Sequence, residues 1–506
     1  MKDFFLFLAS LHAGNLLPES CLLGAILLTL TVDLLVSQSS KQWLPIIPLV
    51  GLIGAFVCLS FQWTGSIYAP SPSIAFGGSI QADPLSIVFR GLLVLASGLS
   101  ILLSLEYVEK SGTALSEFLV LLLTATLGGM LLAGTNDLIM MFVALETLGL
   151  ASYLLAGYMK RDARSNEAAL KYLLVGAGSS SLFLYGVSWI YGLSGGHLEI
   201  NYIASSLVAL DISDTWACKI ALLLMTVGVG FKLSVAPFHQ WTPDVYQGSP
   251  TPVVAFLSVG SKAAGLVLAI RIVTTLFPSI STEWHQLFEI LALLSMVIGN
   301  LVALPQTSLK RMLGYSSVGQ AGFLLIGLLT GHEAGYSSLL VYMLIYTFMN
   351  LGAFACVILF GLRTGSDQIQ DYAGLLYKDP FLAICLSICL LSLGGIPPFA
   401  GFFGKLYLFW AGWQSGLYTL VTVGLITSVI SIYYYLGVIK IMLVKSSEEM
   451  SLSVLQYPPR GWAQQILQPL EVGILVCVIS TVLAGIAGDS LFELARLSTS
   501  QTPTLI

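Results

Sequence analysis

Charge is what this sequence has least of. Only 9% of its 506 residues are Asp, Glu, Lys or Arg, against about a quarter in an ordinary soluble domain. A chain this poor in charge cannot clothe a water-facing surface, which excludes a soluble fold. The formal net charge is −5 with no long single-sign tract, so nothing offers a nucleic-acid surface. Cofactor chemistry is equally thin. The five histidines show no ligand spacing, and the seven cysteines (Cys21, Cys58, Cys218, Cys356, Cys385, Cys389, Cys477) are scattered, mostly inside apolar runs. Cys385 and Cys389 lie one helical turn apart, too little for a metal site, and all seven read as apolar packing. No iron–sulfur, haem or nucleotide-binding pattern occurs.

What is there instead is apolar length. Hydrophobic residues make up 56% of the chain, in recurrent runs of the ~20 residues that a membrane-spanning helix needs. The expected fold is therefore an all-α polytopic membrane protein. About fourteen transmembrane helices are expected, beginning near residues 15, 43, 84, 114, 137, 165, 217, 252, 284, 310, 336, 380, 417 and 468. MKDFFLFLASLHAG at the start carries a lysine and a short apolar stretch, as a signal peptide would. Asp3 interrupts that pattern and a further apolar run begins at Leu16, so the segment reads as mature sequence.

Orientation follows from the basic residues. With the N-terminus outward, the connections facing the negative side hold Lys41, Lys110, Lys160, Arg161, Arg164, Lys310, Arg311, Arg363, Lys378, Lys440, Lys445 and Arg460, twelve of the 21. The outer connections include TGSIYAPSPSIAFGGSIQAD (64–83) with none. Lys2, Arg271 at a helix end, and Arg496 are the outer exceptions. Fourteen spans with both ends outward fit this count.

Six basic residues fall within or at the edge of spans: Arg90, Lys171, Lys219, Lys232, Lys262 and Lys405. A charge at mid-membrane costs about 2.5–3.5 kcal/mol on insertion scales, so such residues need a protein interior, water or a partner. Glu146, flanked by apolar turns in NDLIMMFVALETLGLASYLLAGY (136–158), is the expected counter-charge. Lys219, at an outer helix mouth, either snorkels or acts. Arg90, shortly after Asp83, either snorkels or pairs with an acid. His239 is either a packing histidine or a relay member. Lys232, Lys262, Lys405 and Glu146 are too deep to snorkel and read as functional.

Two of these lysines stand beside helix breakers. In GVGFKLSVAPFHQW (228–241), Lys232 precedes Pro237, and Pro243, Pro250 and Pro252 follow. In LLSLGGIPPFAGFFGKLYLFW (390–410), Gly394, Gly395, Pro397 and Pro398 precede Lys405. Proline removes a donor and clashes with the preceding turn. Backbone freed in this way is tolerated at membrane depth only against protein or a hydrated cavity. The breaks fall in the seventh and twelfth spans, and five spans apart means opposite orientation. That is the pattern of inverted five-helix repeats. The expected division is helices 1–3 (1–112), a first repeat of helices 4–8 (113–277), a second of helices 9–13 (278–446), and a C-terminal connection with helix 14 (447–506). Lysine amines are poor ligands for sodium or potassium. A buried lysine and a carboxylate titrate as a coupled pair, so Glu146, Lys171, Lys232, Lys262 and Lys405, with His239 as a possible member, read as a lateral proton relay.

These residues sit in stretches that resemble a known family. They are TATLGGMLLAGTNDLIMMFVALE (124–146), RSNEAALKYLL (164–174) and FKLSVAPFHQWTPDVYQGSPTPVVAFLSVGSKAA (231–264). The likeness continues in QTSLKRMLGYSSVGQ (306–320), RTGSDQIQDYAGLLYKDPFLA (363–383) and SLGGIPPFAGFFGKLYLFWAGWQSGLY (392–418). Over essentially its whole length the chain resembles the antiporter-like membrane subunits of the complex I family, most closely those of cyanobacteria and chloroplasts.

The resemblance implies fourteen helices with the seventh and twelfth discontinuous. Glu146 matches the essential glutamate of helix 5, Lys232 the central lysine of helix 7 and Lys262 that of helix 8. Lys405 takes the terminal channel position on helix 12, and Lys171 aligns with a lysine of helix 6 near the Glu–Lys pair. It also implies a non-redox, proton-pumping subunit of an NAD(P)H– or ferredoxin–plastoquinone oxidoreductase in the thylakoid membrane, both termini lumenal. This chain would hold no cofactor. Plastoquinone, iron–sulfur clusters and the electron donor would belong to partner subunits, and its own partners would be lipid and neighbouring membrane-arm subunits. Two other readings remain at this stage. One is a subunit of a multi-subunit Mrp-type cation/proton antiporter, and the other is a chain that itself reduces quinone, against which the missing ligation patterns stand.

Overall fold

The computed structural model describes residues 13–36, 43–65, 73–210, 214–444, 452–456 and 468–500. Lys2, Asp3, Lys41, Lys445 and Arg460, and residues 66–72 of the lysine-free outer segment, lie outside the described residues. Among the described residues thirteen helices are long and apolar enough to cross a membrane. They are α1 (Leu17–Leu35), α2 (Ile46–Trp63), α3 (Pro84–Ser111), α4 (Leu115–Ala133), α5 (Leu138–Ala156) and α6 (Ala163–Leu193). The first half of α7 (Trp216–Leu233), α8 (Thr251–Leu276), α9 (Ser281–Ala303), α10 (Leu309–Leu329) and α11 (Glu333–Thr364) follow. After the split α12 come α13 (Tyr418–Leu443) and α14 (Pro469–Ile486). Helix α12 consists of Pro380–Gly394 and Ala400–Gln414, each too short to span alone. The second half of α7 is the short helix Trp241–Gly248. Each expected span therefore begins within a few residues of its observed helix, and the two expected breaks are where the chain breaks.

Burial sorts these helices into layers. Helices α8, α10 and α11 form the centre, with nearly every residue of each enclosed by its neighbours. Helices α1, α2, α6 and α13 form the periphery and expose leucine, valine and aromatic side chains along one face. In a membrane an apolar exterior is the expected face. An enclosed helix can carry polar residues only where partners surround it, and α8, α10 and α11 are where they appear.

Short elements add to the spans. Ser73–Ala75 and Ile80–Ala82 pair antiparallel, Ser73 opposite Ala82, in a small hairpin leading into α3. An amphipathic helix, Ile200–Ala209, links α6 to α7, and a second, Gly488–Ser500, follows α14. The second packs on α11 through Ser337 and Thr499, whose hydroxyls are 2.8 Å apart.

Arg271 sits elsewhere than expected, and Arg90 follows one of its two expected courses. Arg271 is no exposed helix-end residue. It is 3% exposed and pairs with Asp83 at 2.8 Å while donating to the Ala133 carbonyl at 3.1 Å. Asp83 also caps α3 in a reciprocal arrangement with Ser86, so one carboxylate joins the start of α3 to the end of α8. Arg90 does not snorkel. It is fully buried, its Nε 3.2 Å from Glu19 on α1, and it donates to the Asn15 carbonyl at 3.3 Å. Gly134 is required beside it, since a Cβ there would come within 1.8 Å of the Arg90 guanidinium.

A buried pair costs most when one partner is removed, about 3–5 kcal/mol, whereas an apolar replacement of both is often neutral. Glu19→Leu is therefore expected to lower the thermal stability of the purified protein markedly, and Glu19→Leu/Arg90→Met to recover most of the loss. Equal melting temperatures for Glu19→Leu and the unmodified protein would refute this role for the pair.

Candidate functional site

The site begins on α5. Asp137 caps that helix, accepting from the Ile139 and Met140 amides at 2.8 and 3.1 Å. Glu146 follows more than two turns later and is half-buried. One turn beyond, Gly149 faces the amine of Lys232, and a Cβ there would lie 3.3 Å from Nζ. Lys232 is 3% exposed, and its Nζ has no hydrogen-bond partner among the described residues. It lies 5.8 Å from the ring centres of Tyr153 and Phe231, a cation–π setting, and within electrostatic reach of Glu146. The expected pair is thus adjacent across the α5–α7 interface but not closed into a hydrogen bond.

The break after Lys232 is held by protein. Ser234 adopts φ +59°, and the Ala236–Pro237 peptide is cis. The freed groups find partners: Val235 donates to the Gly230 carbonyl at 3.0 Å, Ala236 to Ser295 Oγ at 2.8 Å, and Trp241 Nε1 to the Phe231 carbonyl at 3.3 Å. His239 lies in this break, half-buried, with its ring 6.5 Å from that of Tyr315 and a buried Nδ1 that has no partner.

Helix α8 carries Lys262 immediately after a widened π-type turn, Leu257–Ser261, an irregularity frequent at functional sites. One turn past Lys262, Gly265 packs against Lys232, where a Cβ would lie 3.1 Å from Lys232 Cβ. The Lys262 amine donates to the Ser317 carbonyl on α10. Three residues on, Gln320 Oε1 accepts from Tyr342 and its Nε2 donates to the Leu393 carbonyl at 3.3 Å. Lys405 Nζ donates to that same carbonyl at 2.9 Å, to Gly394 O at 3.1 Å and to Ser428 Oγ at 3.3 Å, and it stands 5.1 Å from the Phe323 ring. A polar line therefore runs from Lys262 over α10 to Lys405.

Lys171 is placed differently from the other amines. It is 42% exposed, 2.8 Å from Glu167 and 2.8 Å from Asp244, in an open pocket at one end of the bundle. Lys219 is held at the opposite end of α7 by Asp214 and Glu283, at 2.6 and 2.8 Å. The structure thus brings Glu146, Lys232, Lys262 and Lys405 into one interior row, sets His239 beside it and leaves Lys171 at its mouth.

The residues between Lys262 and Lys405 were not among the expected ones, because Ser317, Gln320 and Tyr342 are uncharged and common. A signal was present all the same. Ser316, Ser317 and Gln320 cluster on α10, and Tyr342, Tyr346 and Asn350 recur every fourth residue on α11, one face of a helix. All six are buried, and Asn350 Nδ2 reaches Ser258 Oγ on α8 at 2.6 Å.

A bundle with two broken helices and a buried amine row between them defines a membrane subunit that passes ions or protons through its interior. The comparisons with known proteins identify the family. A family model described as "NADH:quinone oxidoreductase/Mrp antiporter, TM" matches residues 135–431, more than half of the chain. NAD(P)H-quinone oxidoreductase subunit 2 of the Nephroselmis olivacea chloroplast is 66% identical, with 98% of each chain covered. The subunit of that name from Microcystis aeruginosa is 57% identical, over 99% of this chain and 97% of the other. A chain of respiratory complex I from Thermus thermophilus superposes with a TM-score of 0.77 at 32% identity, over 95% of this chain and 99% of that one. The chain belongs to the antiporter-like membrane subunits of the NADH:quinone oxidoreductase family and groups there with subunit 2 of the chloroplast and cyanobacterial enzymes.

The second break depends on one close approach. A Cβ at Gly401 would come 1.8 Å from the Ser392 carbonyl, whereas nothing lies within 4 Å of one at Gly178. Gly401→Ala is expected to prevent accumulation of the subunit and Gly178→Ala to leave it unchanged, as read by immunoblot of native membranes.

Proposed function

We propose that this chain moves protons along Glu146, Lys232, Lys262 and Lys405 in the membrane arm of a photosynthetic-type NAD(P)H– or ferredoxin–plastoquinone oxidoreductase. Electron transfer, the iron–sulfur clusters and plastoquinone belong in this reading to partner subunits. The chain lies in the thylakoid membrane among other membrane-arm subunits and lipid, with both termini lumenal. Residues 113–277 and 278–446 act as its two halves. The observation that carries the reading is the row itself: three buried amines, two at helix breaks and one after a widened turn, with α10 touching Lys262 through the Ser317 carbonyl and, through Gln320, the Leu393 carbonyl that holds Lys405.

The chemistry follows from the side chains. Among the described residues no salt bridge locks Lys232, and Glu146, one turn before the Gly149 that faces its amine, is the carboxylate this reading pairs with it. A small change in their separation, driven by quinone reduction elsewhere, would load or release a proton at Lys232. From there Lys262 is the next amine. Beyond it the Tyr342 hydroxyl, which can give and accept a proton, donates to the Gln320 amide, which in turn donates to the Leu393 carbonyl that also holds Lys405. His239, with a free ring nitrogen at the α7 break, can join the row from the side, and Lys171 would act at its mouth. An amine row suits protons better than metal cations, because a protonated lysine repels them.

Lys232→Met is expected to abolish or greatly reduce the proton translocation carried by this chain while the complex still assembles and reduces quinone. Protons per electron, measured in vesicles containing the whole complex, test this, and an unchanged ratio would sink the relay assignment. Glu146→Gln is expected to lower that ratio as much as Glu146→Ala, because charge rather than size is needed. Gln320→Leu should slow pumping about tenfold, a loss of ~1.4 kcal/mol at one transfer step, with quinone reduction retained under uncoupled conditions. Coupled pumping at the normal rate in Gln320→Leu would remove α10 from the path.

A further inference from the structure

Asp244 takes no part in the row, yet it is the one acidic side chain on the second half of α7. Its two oxygens are divided between two other helices. Oδ2 is 2.8 Å from Lys171 on α6, and Oδ1 is 2.9 Å from Arg311 on α10. Arg311 also donates to Gln247, one turn further along the same half-helix, at 3.2 Å. The half-helix is wedged between these neighbours by shape as well. A Cβ at Gly314 of α10 would meet Pro243 Cα at 3.4 Å, and one at Gly248 would come 2.6 Å from the Arg164 carbonyl of α6.

Each arm of this clasp leads to a different amine. Next to Lys171 is Tyr172, whose ring stacks on Trp241 at 4.4 Å and stands edge-on to Tyr153 at 4.7 Å. Tyr153 is the ring beside Lys232. Six residues past Arg311 is Ser317, whose carbonyl accepts from Lys262. Asp244 thus ties the helix that shapes the surroundings of Lys232 to the helix that holds Lys262.

Stability does not explain the clasp. Asp244, Arg311 and Lys171 are 30%, 33% and 42% exposed, and ion pairs so open to solvent contribute little to folding. What they fix is position, because a carboxylate shared by two cations on separate helices permits one placement of the half-helix relative to both. The pocket they line, about 360 Å³ with Arg164, Glu167 and Gln247, leaves them room to part without disturbing the packed interior.

We propose that Asp244 is a positioning residue for proton transfer, holding the second half of α7 so that changes at Lys232 and at Lys262 occur together. The proposal rests on the reading of the chain as a proton pump. Asp244 itself carries no proton in it. Opening either arm lets α6 and α10 move independently, and transfer between the two lysines slows while the protein stays folded.

The test uses the whole complex in native membranes. Asp244→Asn is expected to cut the pumping component that Lys232→Met removes by roughly threefold, the scale of a modest coupling between sites. The amount of assembled complex, its melting temperature and its uncoupled quinone reduction should not change. Asp244→Glu should restore most of the loss. Asp244→Asn/Arg311→Met should be no worse than Asp244→Asn, because both changes cut the same tie. Glu167→Gln, which removes the other partner of Lys171 and spares the clasp, should pump normally. Normal pumping in Asp244→Asn, in membranes where Lys232→Met is impaired, overturns the clasp and leaves the pump reading standing. Normal pumping in Lys232→Met overturns the pump reading instead. Loss of assembled complex in both Asp244→Asn and Asp244→Glu overturns the proposal in favour of a purely structural role.

Discussion

A cation inside a membrane needs a built environment, and here the ends of interrupted helices supply it. The last carbonyls of a helix have no intrahelical donor and carry the negative end of the helix dipole. Lys232 lies in the last turn of the first half of α7. Lys405 sits in the second half of α12 but reaches back to Leu393 and Gly394, the last residues of the first half. In sequence one lysine precedes its break and the other follows it. In space they differ too: the Lys405 amine is held at the carbonyl end of a half-helix that Gly395 closes in the left-handed region, whereas the Lys232 amine lies against Gly149 and Tyr153 of α5, and Ser234 closes its own half-helix. The prolines after each break matter because they keep those ends from being used up by another turn of helix.

The centre of the bundle follows from that requirement. Two such ends must be joined across the protein, and the helices between them cannot be lipid-facing if they carry polar groups. Helices α8, α10 and α11 are accordingly enclosed, and they alone supply Ser258, Lys262, Ser317, Gln320, Tyr342 and Asn350. The peripheral helices serve by contrast as an apolar jacket. The buried pairs Arg90–Glu19 and Arg271–Asp83 fasten α1 and α3 to that centre.

How much of this could be read in advance depended on the kind of signal. Span positions were legible because twenty apolar residues in a row admit few interpretations, and the breaks because Pro and Gly punctuate a helix wherever they fall. The deep lysines were legible because a charge in an apolar run is expensive. Partnerships were not. Asp83 and Arg271 are separated by 188 positions, and no local pattern could join them, so Arg271 was read as a helix-end cation. Arg90 pairs with an acid, one of its two expected courses, but nothing local named Glu19 on α1 as that acid. Lys171 was grouped with Lys232 as an amine within or at the edge of a span, but its side chain faces an open pocket. The neutral links on α10 and α11 were hidden by their ordinariness. Serine, glutamine and tyrosine in a helix mean little until the helix is known to be fully enclosed.

That enclosure gives the neutral links their meaning. The interior row holds three amines and one neighbouring carboxylate, so it has more sites for positive charge than fixed negative charge to match. In a poorly screened interior, charges act on one another over longer distances than in water. Had carboxylates been interleaved between Lys262 and Lys405, each amine would have been locked to its own counter-ion. Ser317, Gln320 and Tyr342 instead offer dipoles, which orient a passing proton without holding it. Glu146 stands at one end of the row, so the local balance of charge can be set there and transmitted along it. A row of amines linked by neutral dipoles and biased from one end is an arrangement for moving charge, where alternating ion pairs would be an arrangement for keeping it in place.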